Sequence, residues 1–347
     1  MLMRVAFRVE GNPNIGLGHL MRCMALAQGL VNSGHHVFFF MSDASQQFCR
    51  QRTDWLGDII PLAELDKKAE PEWLVNQCGS LQADWLVLDG YQFDQAYRHS
   101  LQSIKFKLAV FDDINNSGAL YADLVINGAP NTALLDYQST APNALLALGQ
   151  DYQVLRQEFL QVNNNDWAER ENLTLTFGGS DPKNLTIKLL NALQKLSLSM
   201  PITVITGAAY PSLLELKNVI KNSDLDINHL HDCQNMAQLL ENTKLAISAA
   251  GGSQFELRAC AVPAILVVVA DNQLLASQEA AKQGWCQLAN HEQVNADELA
   301  QQCLSLWQQP DLLHSMHKMA GLFPVVDGAK NIVKLMSENT LVGEDKA

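Results

Sequence analysis

Apolar residues along this chain gather into short, nearly continuous runs, separated by stretches in which they recur at every third or fourth position. Continuous runs of that length suit strands buried on both faces, and the wider spacing suits helices packed on one side. Residues 3–7 (MRVAF) open the pattern as a strand. Leu20, Met24, Ala27 and Leu30 or Val31 then fall at helical spacing, Gly34 follows as a stop signal, and His36–Met41 forms a second apolar run. The unit is strand, glycine-rich loop, helix, strand. Residues 84–89, 107–111 and 122–126 continue the alternation as strands that deliver Asp89, Asp112 with Asp113, and Asn127 to their ends. A second series follows at 173–177, 202–206, 227–231, 245–248 and 264–269, with a helix at 328–336. Between the two series, residues 161–170 (QVNNNDWAER) form the most polar stretch of the first half and read as a linker or exposed loop.

Alternation of this kind predicts an α/β protein of two Rossmann-like domains with an inter-domain cleft. The expected boundaries are 1–152 for the first domain, 153–170 for the linker and 171–326 for the second domain. A C-terminal helix and tail, 327–347, would fray from Ser337. The length of 347 residues suits roughly two ordinary domains, and a hydrophobic content of 48% supplies their cores.

Charge narrows the partners. A formal net charge of −13 argues against nucleic acid and anionic membrane surfaces. A phosphate ligand would therefore be held by backbone amides and a few placed cations. Seven cysteines, odd in number and never in a CxxC pair, fit reduced thiols in a cytoplasm. The N-terminus lacks a signal-like apolar segment, and no apolar run approaches the roughly 20 residues that span a bilayer. The expectation is a cytoplasmic monomer that takes a small-molecule substrate.

Candidate chemistry sits in the loops that follow strands. Gly16 and Gly18 let backbone approach a ligand, and His19 falls in the first turn of the helix. A positive charge there opposes the helix dipole, so a neutral imidazole is expected, able to accept a proton from water. The same residues also suit a plain glycine turn with a surface histidine. In the second half, Gly178, Gly179 and Asn184 can hold phosphate or cap the next helix. Gly251, Gly252 and Ser253 can face a pyrophosphate, with Glu256 one turn on, where its carboxylate can accept from two ribose hydroxyls. Asn272 and Gln273 offer amides to sugar hydroxyls, or the segment simply caps a helix. His229, His231 and Cys233 alternate along a strand, but no matching ligand group stands nearby in sequence. No metal is expected, and the loop through Cys233 and Met236 is read as the border of a base pocket.

Taken together, Arg8 with IGLGHLMRC, Asp89-Gly90-Tyr91, Phe111-Asp112-Asp113, GQDY with LRQEF, FGGSDPKN, SAAGGSQFE and Asp271-Asn272-Gln273 are similar to a family. The chain resembles the UDP-sugar hydrolases of pseudaminic acid biosynthesis, which release UDP from 2,4-diacetamido-2,4,6-trideoxy-β-L-altrose. Glu10 stands where that family usually shows Asp, and Asn12 where it usually shows Ser. The resemblance implies a GT-B type fold, His19 as the catalytic residue that activates water, and inversion with C–O cleavage at the anomeric carbon. It implies UDP on the second domain, at Gly178, Gly179, Asn184, Cys233, Met236, Gly251, Gly252, Ser253 and Glu256. Arg8, Glu10, Gly16, Gly18, Asp89, Tyr91, Asn272 and Gln273 would meet the sugar. It implies no cofactor and no metal, since diphosphate already leaves well. An inverting UDP-N-acetylhexosamine glycosyltransferase on the same fold is the alternative.

Overall fold

The computed structural model describes residues 2–13, 15–103, 105–162, 166–196, 199–289 and 294–340. Residues 163–165 of the expected linker and 341–347 of the expected tail lie outside the described residues. The chain divides into two compact units. The first comprises His19–Gln157 with Met1–Gly11 and Val326–Ala347; the second comprises Glu158–Val325 with Asn12–Gly18.

The first unit begins with β1 (Arg4–Val9), α1 (Gly18–Asn32), β2 (His36–Met41), α2 (Asp43–Arg50), β3 (Asp58–Pro61) and α3 (Glu70–Ser80). It continues through β4 (Trp85–Asp89), α4 (Gln95–Ser100), β5 (Lys107–Phe111), β6 (Leu124–Asn127), α5 (Tyr137–Thr140) and β7 (Leu145–Leu148). The sheet has the order β3-β2-β1-β4-β5-β6-β7, and every pairing is parallel. The central strands are buried along almost their whole length, β4 entirely and β2 from Val37 on, which is why they read as apolar runs. β1 runs two residues past the expected end, to Val9, because its neighbours continue to pair: Val9 lies in register with Asp89. Helix α1 buries Leu20, Cys23, Met24, Ala27 and Leu30. It ends in a Schellman turn, with Gly34 N–H donating to Val31 O, His35 N–H donating to Leu30 O, and Gly34 at φ +83°.

The second unit contains β8 (Asn172–Thr176), α6 (Leu185–Gln194), β9 (Ile202–Thr206), α7 (Leu213–Lys221), β10 (Ile227–His231), α8 (Met236–Glu241) and β11 (Thr243–Ala249). Then come α9 (Ser253–Ala259), β12 (Ala264–Val267), α10 (Leu274–Lys282), β13 (Cys286–Leu288), α11 (Ala296–Trp307) and α12 (Pro310–Gly321). Its sheet, β10-β9-β8-β11-β12-β13, repeats the logic of the first. The strand expected over 264–269 stops at Val267, after which Val269 N–H donates to the Gln273 side chain at 3.0 Å.

Helix α13 (Gly328–Glu338) returns to the first unit. A Cβ at Gly29 of α1 would stand 2.8 Å from the Ala329 Cβ, and one at Gly328 would overlap Gln153 O. Only glycine permits these approaches. The expected fraying from Ser337 is not seen before Thr340, whose hydroxyl donates to Met336 O at 2.7 Å.

In both sheets the chain reverses its direction of travel between the first strand and the fourth. These reversals lie between β1 and β4, and between β8 and β11. Loops diverge there, and ligands of open α/β sheets bind outside the strand ends.

Candidate active site

At the first reversal, β4 delivers Asp89, fully buried, beside the end of β1, and α1 opens with Gly18 and His19. The His19 Nδ1 lies 2.6 Å from Asp89 Oδ1. A carboxylate only accepts, so Nδ1 carries the hydrogen, and whenever the ring is neutral its lone pair is on Nε2. The formal charge nearest the imidazole is thus a carboxylate, a more local influence than the helix dipole invoked from sequence. The Tyr91 ring meets the His19 ring edge-on, with centroids 5.0 Å apart and planes at 78°. His19 retains 9% of its surface exposed.

One turn further along α1, Arg22 ties the cluster together. Its Nε and Nη2 donate side-on to Asp89 Oδ2 and Oδ1 at 2.5 and 2.7 Å, and its Nη1 donates to Asp113 Oδ1 at 2.6 Å. The guanidinium also lies over the Phe111 ring, 4.9 Å from its centroid. The Tyr91 hydroxyl donates to Asp113 Oδ2. Burial would raise the Asp89 carboxyl, but Arg22 and then His19 outweigh it and hold it down at about 2. The same guanidinium keeps Asp113 below the ordinary carboxylate range, again against burial. Behind Asp113, Tyr137 donates to Asp112 at 2.7 Å and the Asn127 amide donates to Tyr137 at 2.9 Å. This chain fixes the loop after β5.

Arg8 and Glu10, assigned to the sugar from sequence, pair with each other. Arg8 Nη1 donates to Glu10 at 2.6 Å, and its Nε donates to Glu70 at 2.7 Å. The Glu10 carboxylate also accepts from the Ser42 hydroxyl at 2.6 Å and from Ser45. Ser45 in turn accepts from Gly11 N–H at 3.0 Å. The longer carboxylate therefore spans from β1 to α2 and anchors the start of the glycine loop. Gly16, at φ +80°, closes that loop by donating to Asn12 O at 2.8 Å. Gly18 has open space where a Cβ would project.

In the second unit, Leu175 pairs with Ile247 and Thr176 with Ser248, so the loops after β8 and β11 leave the sheet side by side. Gly178 takes φ +79°, and a Cβ on Gly179 would press on Leu17 at 3.0 Å. Asn184 stands at the α6 N-cap position in left-handed backbone without capping through its side chain. Asp181 caps instead, accepting from Leu185 and Thr186 N–H at 2.9 and 2.8 Å. That carboxylate takes the N–H groups of Leu185 and Thr186, so of the two readings the sequence left open at this loop the capping falls to Asp181. The Asn184 Oδ1 is buried without a hydrogen-bond partner. Gln273 accepts through its oxygen from Val269 N–H, and a Cβ on Gly251 would lie 3.5 Å from its Nε2. Its amide nitrogen therefore stands by the Gly251-Gly252-Ser253 loop. Glu256 sits in the first turn of α9, and Met236 opens α8 with Cys233 shortly before it. Asn272 lies with Gln273 in a short turn. His229 and His231 share the Thr206 hydroxyl at 2.9 and 3.1 Å. Among the described residues, no three His, Cys, Asp or Glu side chains are grouped to hold a metal ion, and no helix is long and apolar enough to cross a membrane.

Sequence reasoning passed over Arg22 as a site residue, although it stands inside the quoted motif three positions after His19.

The second unit has a recognisable counterpart. Residues 173–332 match the glycosyltransferase family 28 C-terminal domain. This family 28 match runs from β8 into the first half of α13. The chain is 28% identical over 288 residues to an uncharacterized protein of Methanocaldococcus jannaschii, 78% of this chain and 56% of that one. It thus spans little more than half the length of that relative. Over 346 residues, 96% of each chain, it is 27% identical to the spore coat polysaccharide biosynthesis protein SpsG of Bacillus subtilis. Over 255 residues, 71% of this chain and 85% of the other, it is 27% identical to the UDP-2,4-diacetamido-2,4,6-trideoxy-beta-L-altropyranose hydrolase of Campylobacter jejuni. Among solved structures, Acinetobacter baumannii MurG superposes with a TM-score of 0.68 at 16% identity, covering 97% of this chain and 99% of that one. The fold is of the two-domain GT-B glycosyltransferase type.

Proposed function

We propose that this protein hydrolyses a UDP-2,4-diacetamido-2,4,6-trideoxyhexose, of which the β-L-altropyranose sugar is the favoured case. The observation that carries the reading is the His19 Nδ1 contact to buried Asp89 at 2.6 Å, located at a sheet reversal. With its Nδ1 hydrogen committed to Asp89, a neutral imidazole presents Nε2 as the proton acceptor. Water gives up a proton to Nε2 as its oxygen bonds to the anomeric carbon. The bond from that carbon to the diphosphate oxygen breaks with its electron pair, inverting the centre and releasing UDP. A diphosphate needs no strong acid to leave, so backbone amides about the Gly251–Ser253 loop suffice to stabilise its charge. Glu256 would hold the ribose, and Asn272 with Gln273 the sugar. The nucleotide role of the second unit is supported by the family 28 match, and the hydrolytic outcome by similarity to the Campylobacter enzyme.

The transferase fold of the solved relatives favours a second reading, transfer of an N-acetylhexosamine to an acceptor. Incubation with UDP-sugar and no acceptor separates the two. A hydrolase releases UDP and free sugar in equal amounts, with time-resolved NMR reporting the inverted anomer first; a transferase releases little. Replacing His19 with Asn should lower turnover about a hundredfold or more while UDP affinity is retained. Full turnover in that variant would remove His19 from the role.

A further inference from the structure

We propose that Arg22 is a positioning residue: by forking onto Asp89 and Asp113, its guanidinium offsets the carboxylate charge behind His19 and keeps the imidazole a proton acceptor. The inference rests on His19 being the base, and its first readout does not depend on turnover.

The groups that face His19 among the described residues come from three places. Asp89 lies at the end of β4 and Tyr91 just after it. Arg22 and Cys23 come from the next turn of α1, with the Arg22 Nη2 3.4 Å from the imidazole Nδ1 and the Cys23 Sγ 3.5 Å from Asp89. Asp113 follows β5 and reaches the ring through Arg22. A buried carboxylate against an imidazole would, alone, draw a second proton onto the ring and convert it to imidazolium. An imidazolium has no lone pair with which to activate water. The side-on pair from Arg22 places a full positive charge on the other side of the same carboxylate, using both Asp89 oxygens. Asp113 opposes this, because it draws on the same guanidinium from Nη1. The Tyr91 hydroxyl, donating to Asp113, shares that load. Arg22 and Asp113 therefore act on His19 with opposite sign, although both belong to one hydrogen-bonded cluster.

The test is the titration of the His19 ring in the full-length protein, followed by nitrogen–proton NMR and assigned with His19→Asn. In Arg22→Gln the titration should move up by about one pH unit or more, and in Asp113→Asn it should move down. Arg22→Lys, which keeps the charge but not the fork, should lie between wild type and Arg22→Gln. General loosening of the cluster cannot give opposite signs. Unchanged titrations, or shifts of one sign in both variants, overturn the proposal. Should Arg22→Gln fail to fold, Asp113→Asn at the half-buried loop carries the same decision alone. The acid limb of kcat/KM, measured with UDP-2,4-diacetamido-2,4,6-trideoxy-β-L-altropyranose, should follow the ring in each variant. A ring that shifts as expected while the rate profile stays fixed would overturn the base assignment and leave the Arg22 effect on the imidazole standing.

Discussion

Asp89 has two jobs that a single substitution can separate from UDP binding. As an acceptor it fixes which ring nitrogen of His19 carries the hydrogen, and Asp89→Asn offers that ring an amide able to donate instead. The expected outcome is a fall in kcat on the order of a hundred- to ten-thousandfold, with UDP affinity kept, checked by single-turnover kinetics and calorimetry. The residue also links stability to acid. Its folded value of about 2 lies below the roughly 3.9 of an unfolded Asp. The unfolded chain therefore takes up the proton first. The contribution is whole above about pH 4 and fades as pH falls toward 2. Urea denaturation should accordingly show a steeper loss over that window in wild type than in Asp89→Asn. The positions of His19 and Asp89, though not their pairing, were legible in the sequence because a glycine loop and a strand end mark such positions. Arg22 was not. Its partners lie 67 and 91 residues away, and helical spacing alone describes it as one more polar position.

Elements were legible wherever burial is two-sided. The central strands β1, β2, β4, β8, β11 and β12 all read as apolar runs, whereas β3, β7 and β13 did not. Those three are edge strands of only three or four residues and partly exposed, too short for a run or an alternation to stand out, whereas β10, an edge strand of five residues, was read over 227–231. The seat of α13 was equally hidden, since nothing in its own periodicity says that it packs on α1. Two glycines test that packing. Gly79 in α3 has nothing within 4 Å of the place a methyl group would take, so Gly79→Ala should gain up to about 1 kcal/mol from helix propensity. Gly29→Ala meets Ala329 at 2.8 Å, with backbone behind it at 3.5 Å, and cannot collect that gain. A net loss of about 1–3 kcal/mol is expected. Thermal unfolding of both variants decides the matter: a Gly29→Ala protein as stable as wild type would mean the two helices can part without cost.

For the whole molecule, the proposed function divides the labour between the two units. The second unit carries the loops proposed for the nucleotide, and the first carries the His19–Asp89–Arg22 cluster proposed for the chemistry. Hydrogen exchange with saturating UDP should therefore protect residues 178–179 and 251–256, while Asp89 and its neighbours on β4 exchange as before. Protection confined to the first unit would reverse the assignment. Helix α13 carries a consequence of another kind. Synthesis yields the strands of the first unit early, yet the helix that backs α1 emerges only after every strand of the second unit has been made. On the ribosome, the part bearing His19 must wait, with the flank of α1 uncovered, until translation has passed residue 338. A chain truncated before Val326 would be stranded in that half-finished state, an apolar flank on display and open to capture by chaperones.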